Sequence, residues 1–332
     1  AARAQRAPSP VAASSPMNTI DVVIVAFGAT DELAQSVAAA ARMPSVGSLT
    51  VVDHKGDART VLGEDVEVMV DASNPGFGAG QNRGAARGAA PYILVLNPDA
   101  IVNGEAVAAG TAVLGARPDA AAMQGVVLNA SGEPERSQGM RLGAVHLWGR
   151  ALGLRRLRAV PAVTQLVQRA VPSLRDHVQR IPQGVVDVES LAATALLVRR
   201  EAFERVGGFD DRYFLYGEDL DLCTRLRRHG WTLLATDAVW ARHSGGASSA
   251  SWFEREVVWW EGTMQFATQW WPMATWLAAI GAAFVRAATL TVLSPSRTTS
   301  VWRRVVGRHA LTRWRASARA RPSPTRPSSR RP

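Results

Sequence analysis

A single cysteine, Cys223, leaves no intrachain disulfide and no cysteine-rich zinc site open to this chain, and it suits a reducing compartment. Lysine is as scarce: Lys55 is the only one among 38 basic residues, so arginine is the default cation and a lone arginine says little. No acidic residue follows Glu261. That last stretch holds 12 of the basic residues, all arginine, and the residues before it hold the other 26 against 28 acids. The net charge of +10 therefore belongs to the tail. A near-neutral body is not that of a nucleic-acid binder, and no specific nucleic acid is expected as a partner. The first 16 residues are rich in Ala, Pro and Ser. They lack the apolar run of ~7–15 residues that a secretory signal needs. Residues 1–17 are expected to be a disordered tail, with Met17 standing where a start would fall. No Gly-Lys-Ser/Thr follows the glycine-rich stretch at 74–84, which excludes a Walker A loop, and G-x-G-x-x-G is not matched either.

What is present is an alternation of strand-like and helix-like segments. Ile20 to Phe27 is a continuous β-branched run, as in a strand buried on both faces of a parallel sheet. Asp31 to Ala41 reads as a helix with Thr30 as its N-cap. Apolar runs at Ser48 to Val52, Val66 to Val70, Tyr92 to Leu96 and Ala121 to Leu128 read as strands. Phe77 to Ala89 and Gly104 to Ala116 read as helices between them. This is the pattern of an open α/β sheet, whose ligands bind beyond the carboxyl ends of the strands. Asp53 and Asp99 both stand at such ends. The basic stretch 146–182 is expected to be a helical insertion. Order returns at Val185, with a buried strand at Leu191 to Val198, a helix at Glu201 to Val206, another at Glu218 to His229, and two strands at Trp231 to Ala235 and Val239 to Arg242.

Three segments carry chemistry. In Gly207 to Leu226, GGFDDRYFLYGEDLDLCTRL, the acids Asp210, Asp211, Glu218, Asp219 and Asp221 interleave with aromatics. Glu218 and Asp219 open a helix, where the dipole favours negative charge. Asp221 is placed to pair with Arg225 one turn on. Asn97-Pro98-Asp99 is a turn at a strand end whose Asp can offer oxygen to a divalent cation. Asn74 to Gly84, NPGFGAGQNRG, either lets backbone approach a ligand closely or is a turn leading into a tightly packed helix. His243 sits before Ser244-Gly245-Gly246, a glycine-rich turn.

Taken in order, Val51-Val52-Asp53-His54, Asn74 to Gly84, Leu96-Asn97-Pro98-Asp99, Ala193 to Arg225 and His243 resemble the inverting family-two glycosyltransferases of GT-A fold, closest to the rhamnosyltransferase-like branch. The resemblance covers about residues 20–245. It implies an α/β, Rossmann-like mixed sheet over residues 18–250. It implies a donor-binding set of Asp53, Asn74, Gly76, Asn82, Asn97 and Asp99, with Asp53 at the base or ribose. Asp99 and His243 would attend Mg2+ or Mn2+ on the diphosphate, Asp219 would be the catalytic base, and Glu218 would be its neighbour. Ala26-Phe27-Gly28, His54 and Ala193 depart from the family pattern. Glu218 is expected to raise the pKa of Asp219 and make it a better base.

From Trp252 the chain is expected to be helical, with amphipathic helices over 251–315 and a disordered Arg/Pro/Ser tail over 316–332. The clean apolar run from Pro272 to Val285 is 14 residues and Arg286 interrupts it, which favours an interfacial or packed helix over a span. The implied activity is transfer of a sugar, rhamnose from dTDP-rhamnose, to a lipid-linked or cell-wall glycan acceptor. The implied place is cytoplasmic, on the inner face of the plasma membrane, where the basic C-terminus would meet anionic lipid. Two other readings stand beside it. A nucleotidyltransferase would want basic residues after the first strand, where Ala26 to Thr30 has none. A non-catalytic membrane or nucleic-acid binder would be a degenerate transferase body.

Overall fold

The computed structural model describes residues 19–135, 137–139, 142–153, 181, 183–245, 251–307 and 309. The tails at 1–17 and 316–332, and most of the stretch 146–182, lie outside the described residues, so the expectations for them are not addressed.

The strands are β1 (Ile20–Ala26), β2 (Val46–Asp53), β3 (Glu67–Val70), β4 (Tyr92–Leu96), β5 (Ala100–Val102), β6 (Ala120–Leu128), β7 (Val185–Asp187), β8 (Ala195–Arg199) and β9 (Thr232–His243). They form one mixed sheet in the order β3-β2-β1-β4-β8-β6-β9-β5, with β7 paired to β9. β3, β2, β1 and β4 run parallel, and β8 is antiparallel to both β4 and β6. From β1 the chain winds outward to β2 and β3, then returns to place β4 on the other side of β1. The strand order therefore reverses between β1 and β4. Loops leaving adjacent carboxyl ends diverge there and open a crevice.

Residue alternation explains the layers. Along β1, Val22 and Ile24 face one core with Leu33 and Val37 of α1 (Asp31–Ala41), while Val23 and Val25 face another with Phe203, Phe209 and Leu222. A strand buried on both faces needs the unbroken apolar run the sequence shows. Helices α2 (Phe77–Ala85), α5 (Arg200–Arg205) and α6 (Glu218–Arg228) belong to the second face, and α3 (Gly104–Ala116) to the first. The Thr30 cap is present, its hydroxyl accepting from the Leu33 N–H at 3.1 Å. A third core joins α4 (Ala144–Ala151), α7 (Trp252–Trp270), α8 (Met273–Leu293) and α9 (Thr298–Trp302), centred on Trp260, Met264 and Ala283.

Five details differ from the sequence reading. The second helix ends at Ala85, short of Ala89. The strand expected from Leu191 begins at Ala195, and Leu191 makes only an isolated bridge to Gln138. β5 is short and was not foreseen. The two strands expected at 231–242 are one, β9, which keeps its course through Thr236-Asp237 because β6 and β7 pair with it from either side. Arg286 does not interrupt the apolar helix. Its guanidinium Nε bonds Glu256 at 2.9 Å inside the third core, and α8 runs on for 21 residues.

Candidate active site

The Asn97-Pro98-Asp99 turn stands at the β1/β4 crevice. The Ala100 N–H donates to the Asn97 carbonyl at 3.2 Å, closing a β-turn around Pro98. The Ser36 hydroxyl of α1 holds the turn from below through the Ala100 carbonyl at 2.9 Å. Asp99 is buried, and its Oδ1 lies 3.1 Å from His243 Nε2. The other imidazole nitrogen, Nδ1, is 3.0 Å from both carboxylate oxygens of Glu135. Asn97 Nδ2 is 3.3 Å from the same His243 Nε2. Burial disfavours the imidazolium, yet the hydrogen bonds to Asp99 and Glu135 outweigh it and hold the His243 pKa up at about 9. Glu135 escaped the sequence reading. The only signal was topological: β6 and β9 are parallel neighbours, so the chain that turns back after β6 falls beside the end of β9.

The acid segment approaches from the other side. Tyr216 and Gly217 both take left-handed backbone, with φ of 68° and 89°, and turn the chain into α6. Glu218 is 5% exposed and its Oε2 has no hydrogen-bond partner. Asp219 is half-buried, and it accepts from the Leu220 N–H at 2.8 Å and from the backbone of Ala193. Burial lifts both carboxyls, and Glu218 has the like charge of Asp219 beside it. Residues 193–194 link the two clusters: Ala193 bonds Asp219, and the Thr194 carbonyl accepts from the Asn97 N–H at 2.9 Å. The Tyr216 phenol is pushed up by burial first, then down by Arg255 and up by Glu218 and Asp99, so it sits within the field of both acids.

Asp221 is a structural acid, as its spacing suggested. It is fully buried, bonded to Arg225 Nε at 2.7 Å, Gln269 Nε2 at 3.0 Å and Trp270 Nε1 at 2.8 Å. Arg225 in turn bonds the Val206 and Gly208 carbonyls, so the motif ties α6 both to the 206–208 turn and to α7. Gly262 of α7 has no room for a side chain: a Cβ there would lie 1.9 Å from the Tyr216 carbonyl. The helices after the sheet thus brace the segment that carries Glu218 and Asp219.

The remaining candidates are engaged with protein groups. Asp53 is 1% exposed and its two oxygens accept from Lys55 and Ala58 N–H, which shapes the loop after β2. Asn74 has φ 42° in the turn before α2. A Cβ on Gly76 would lie 2.3 Å from the Phe214 carbonyl, and that carbonyl accepts from the Phe77 N–H at 2.9 Å. Asn82 clasps Phe209, its Nδ2 donating to the carbonyl and its Oδ1 accepting from the N–H, each at 2.8 Å, and its Nδ2 also reaches Asp211. Of the two readings of this stretch, the tightly packed helix is the one its contacts fit. Phe27, the departure at the end of β1, is 61% exposed at the mouth of the crevice.

A family model described as glycosyltransferase like family 2 matches residues 16–262. Across 53 residues the chain is 51% identical to the N-acetylglucosaminyl-diphospho-decaprenol L-rhamnosyltransferase of Mycobacterium tuberculosis (strain CDC 1551 / Oshkosh), covering 16% of this chain and 17% of that protein. Across 72 residues it is 40% identical to rhamnosyltransferase WbbL of Escherichia coli (strain K12), covering 22% of this chain and 27% of that one. Less than a third of either relative is spanned. Among solved structures, GalNAc-T7 with UDP, GalNAc and Mn2+ superposes with a TM-score of 0.52 at 13% identity, over 77% of this chain and 48% of that one. Mannosyltransferase PcManGT from Pyrobaculum calidifontis, in complex with GDP-Man and Mn2+, gives 0.50 at 12% identity, over 96% and 81%. At such identities the likeness speaks to fold.

Proposed function

The chain belongs to the family-2-like glycosyltransferases of GT-A fold, and we propose that it is an inverting enzyme that moves rhamnose from dTDP-rhamnose to a lipid-linked or cell-wall glycan acceptor. The observation that carries the mechanism is the meeting of two acid clusters across residues 193–194, Asp99 with His243 on one side and Asp219 with Glu218 on the other. The rhamnosyltransferase names of the two partial relatives support the sugar, and the diphospho-decaprenol in one of them supports a polyprenyl-linked acceptor.

In this reading Asp219 takes the acceptor hydroxyl proton as that oxygen bonds the anomeric carbon. The bond from that carbon to the donor diphosphate breaks, and its electron pair leaves with the nucleoside diphosphate. The transition state is oxocarbenium-like. Glu218, lifted by burial and by Asp219, stays protonated so that the negative charge is held on the base. Asn97 and Asp99 face the diphosphate. Asp53, Asn74, Gly76 and Asn82 shape the donor side through the loops they fix, with Asp53 nearest the base or ribose.

The residues fit a divalent cation, Mg2+ or Mn2+. Asp99 would supply oxygen and His243, on giving up the Nε2 proton, would supply Nε2, with Glu135 orienting the ring from Nδ1. Bound there, the ion would neutralise charge on the departing diphosphate. Residues 18–250 would form the catalytic unit, with the 146–182 insertion, and 251–315 the appended helices. The enzyme would work in the cytoplasm at the inner face of the plasma membrane, its basic C-terminus on anionic lipid.

The test is a nucleotide-sugar screen with Mg2+ or Mn2+ and a polyprenyl-diphosphate-linked glycan. Release of dTDP with product of inverted anomeric configuration is expected. Turnover of a different donor removes the rhamnose assignment, retained configuration removes the mechanism, and pyrophosphate release points to nucleotidyl transfer instead.

A further inference from the structure

Helix α8 is the one described helix long and apolar enough to cross a membrane, with a mean hydropathy of 1.7. One of its faces is packed into the protein. Trp276, Ala279, Ala282, Ala283, Ala287 and Leu290 are buried in the third core, and Arg286 is held there by Glu256. The other face carries Met273, Leu277, Phe284 and Val292, exposed by 45, 56, 47 and 79%. At a helical step of 3.6 residues per turn these four fall within about 100° of the circumference. Ala288 lies exposed within the same sector, and no charged residue interrupts it.

The surroundings indicate what covers this stripe. Phe284 meets Trp302 edge-on with ring centroids 5.3 Å apart, and the next residue, Arg303, is exposed. Beyond Glu261 the sequence holds arginine and no acid, and the last 23 residues, 310–332, hold seven arginines. An apolar stripe with the exposed Arg303 beside it, in a stretch of sequence whose charges are all positive, suits an anionic bilayer, where rings and alkyl groups enter the headgroup boundary and guanidinium groups meet phosphate. A second copy of the chain would carry the same net charge of +10 and be repelled. A transmembrane course would strip Arg286 from Glu256 and unpack half of the third core.

We infer that the Met273-Leu277-Phe284-Val292 face of α8 is the membrane-seated surface of this protein, lying in the plane of an anionic lipid interface without crossing it. It deepens the peripheral placement proposed above by moving the apolar anchor from the arginine tail to a folded helix face. That face belongs to the same helical unit that braces Tyr216 and Gly217 through Gly262.

Flotation of the full chain with phosphatidylglycerol/phosphatidylcholine vesicles, against phosphatidylcholine alone, tests it. The wild type is expected to float with the anionic vesicles. The double variant Leu277→Glu with Val292→Glu, which leaves the Phe284–Trp302 contact in place, should lose about tenfold or more in partitioning while keeping its thermal midpoint, its sedimentation mass and its hydrolysis of donor. A bimane probe on Ala288→Cys, in the otherwise wild-type chain, should shift to the blue on vesicles and be quenched by a lipid-borne quencher. Cys223, buried and with its thiol pushed up to about 12, leaves that label specific. The inference fails if the double variant floats like wild type while a full-length chain with its tail arginines changed to glutamine does not. It fails equally if the wild type is a dimer that the double variant converts to monomer, or if the bimane stays in water. Sugar transfer to a soluble acceptor analogue, measured alongside, keeps the fate of the transferase reading separate.

Discussion

The donor-side candidates Asp53, Gly76 and Asn82 differ from the acid segment in how the fold meets their polar groups. At the ends of β1 and β2 the conspicuous residues are engaged by the fold itself: Asp53 holds its own loop, Gly76 lets the Phe214 carbonyl approach, and Asn82 clasps Phe209. At the start of α6 the groups are left with unmet demands. Glu218 is buried with an unpartnered oxygen, Asp219 is lifted by burial, and two consecutive left-handed residues precede them. Hydrogen bonds that a fold satisfies stabilise it, whereas a buried carboxyl held short of partners costs stability and retains reactivity. In the proposed function, the contrast separates residues that make the site from residues that act in it.

The largest effect expected from breaking that contrast is at Asp219. Asp219→Asn keeps the shape and removes the base, so kcat should fall by ~10²–10⁴. Donor-dependent release of nucleoside diphosphate measures it, and a rate within about threefold of wild type would end the assignment of Asp219 as base.

Next comes the brace. In Gly262→Ala the new methyl would meet the Tyr216 carbonyl at 1.9 Å and the Leu215 carbonyl at 2.7 Å. Neither is a flexible group, so α7 or the 215–217 turn must shift, at a cost of ~1–3 kcal/mol. Lower stability in urea and lower kcat should appear together. Gly149→Ala, where a Cβ meets nothing within 4 Å, is the matched control. Asn82→Ala probes the donor side. It removes the clasp on Phe209 and should cost ~1–3 kcal/mol in unfolding while leaving the donor KM nearly unchanged. A tenfold rise in KM with stability intact would instead put Asn82 on the donor and blur the contrast.

Much of the architecture was legible from local pattern. The doubly apolar β1 run, the Thr30 cap and the Asp221–Arg225 spacing each state their own structure. What was hidden depended on residues far apart in sequence. β9 reads as two strands because Thr236-Asp237 resembles a turn, and only its two neighbours carry it through. Glu135 is an undistinguished acid until sheet order sets it beside His243. The motif marks Asn82 and Gly76, which the structure sets against Phe209 and Phe214, contacts that composition does not reveal. Nor could it say that Glu218 would be buried with an unpartnered oxygen.

That last point gives the smallest effect and the sharpest sign. Glu218 is lifted above the ordinary carboxylate range by burial first and by Asp219 second. Below the unfolded pKa both states hold the proton and the native state suffers no penalty. As pH rises toward the folded pKa the native chain binds a proton that the unfolded chain has lost, so stability declines across that window. Glu218→Gln keeps the neutral form at every pH and escapes the decline. Its thermal midpoint should equal that of wild type near pH ~4 and exceed it increasingly from the ordinary glutamate range upward. Transfer near neutrality should fall far less than in Asp219→Asn, because glutamine mimics the protonated acid that already stands beside the base. A midpoint difference that shrinks as pH rises would mean that Glu218 is ionised in the native state and stabilised there, and the division between satisfied and unsatisfied acids would have to be redrawn.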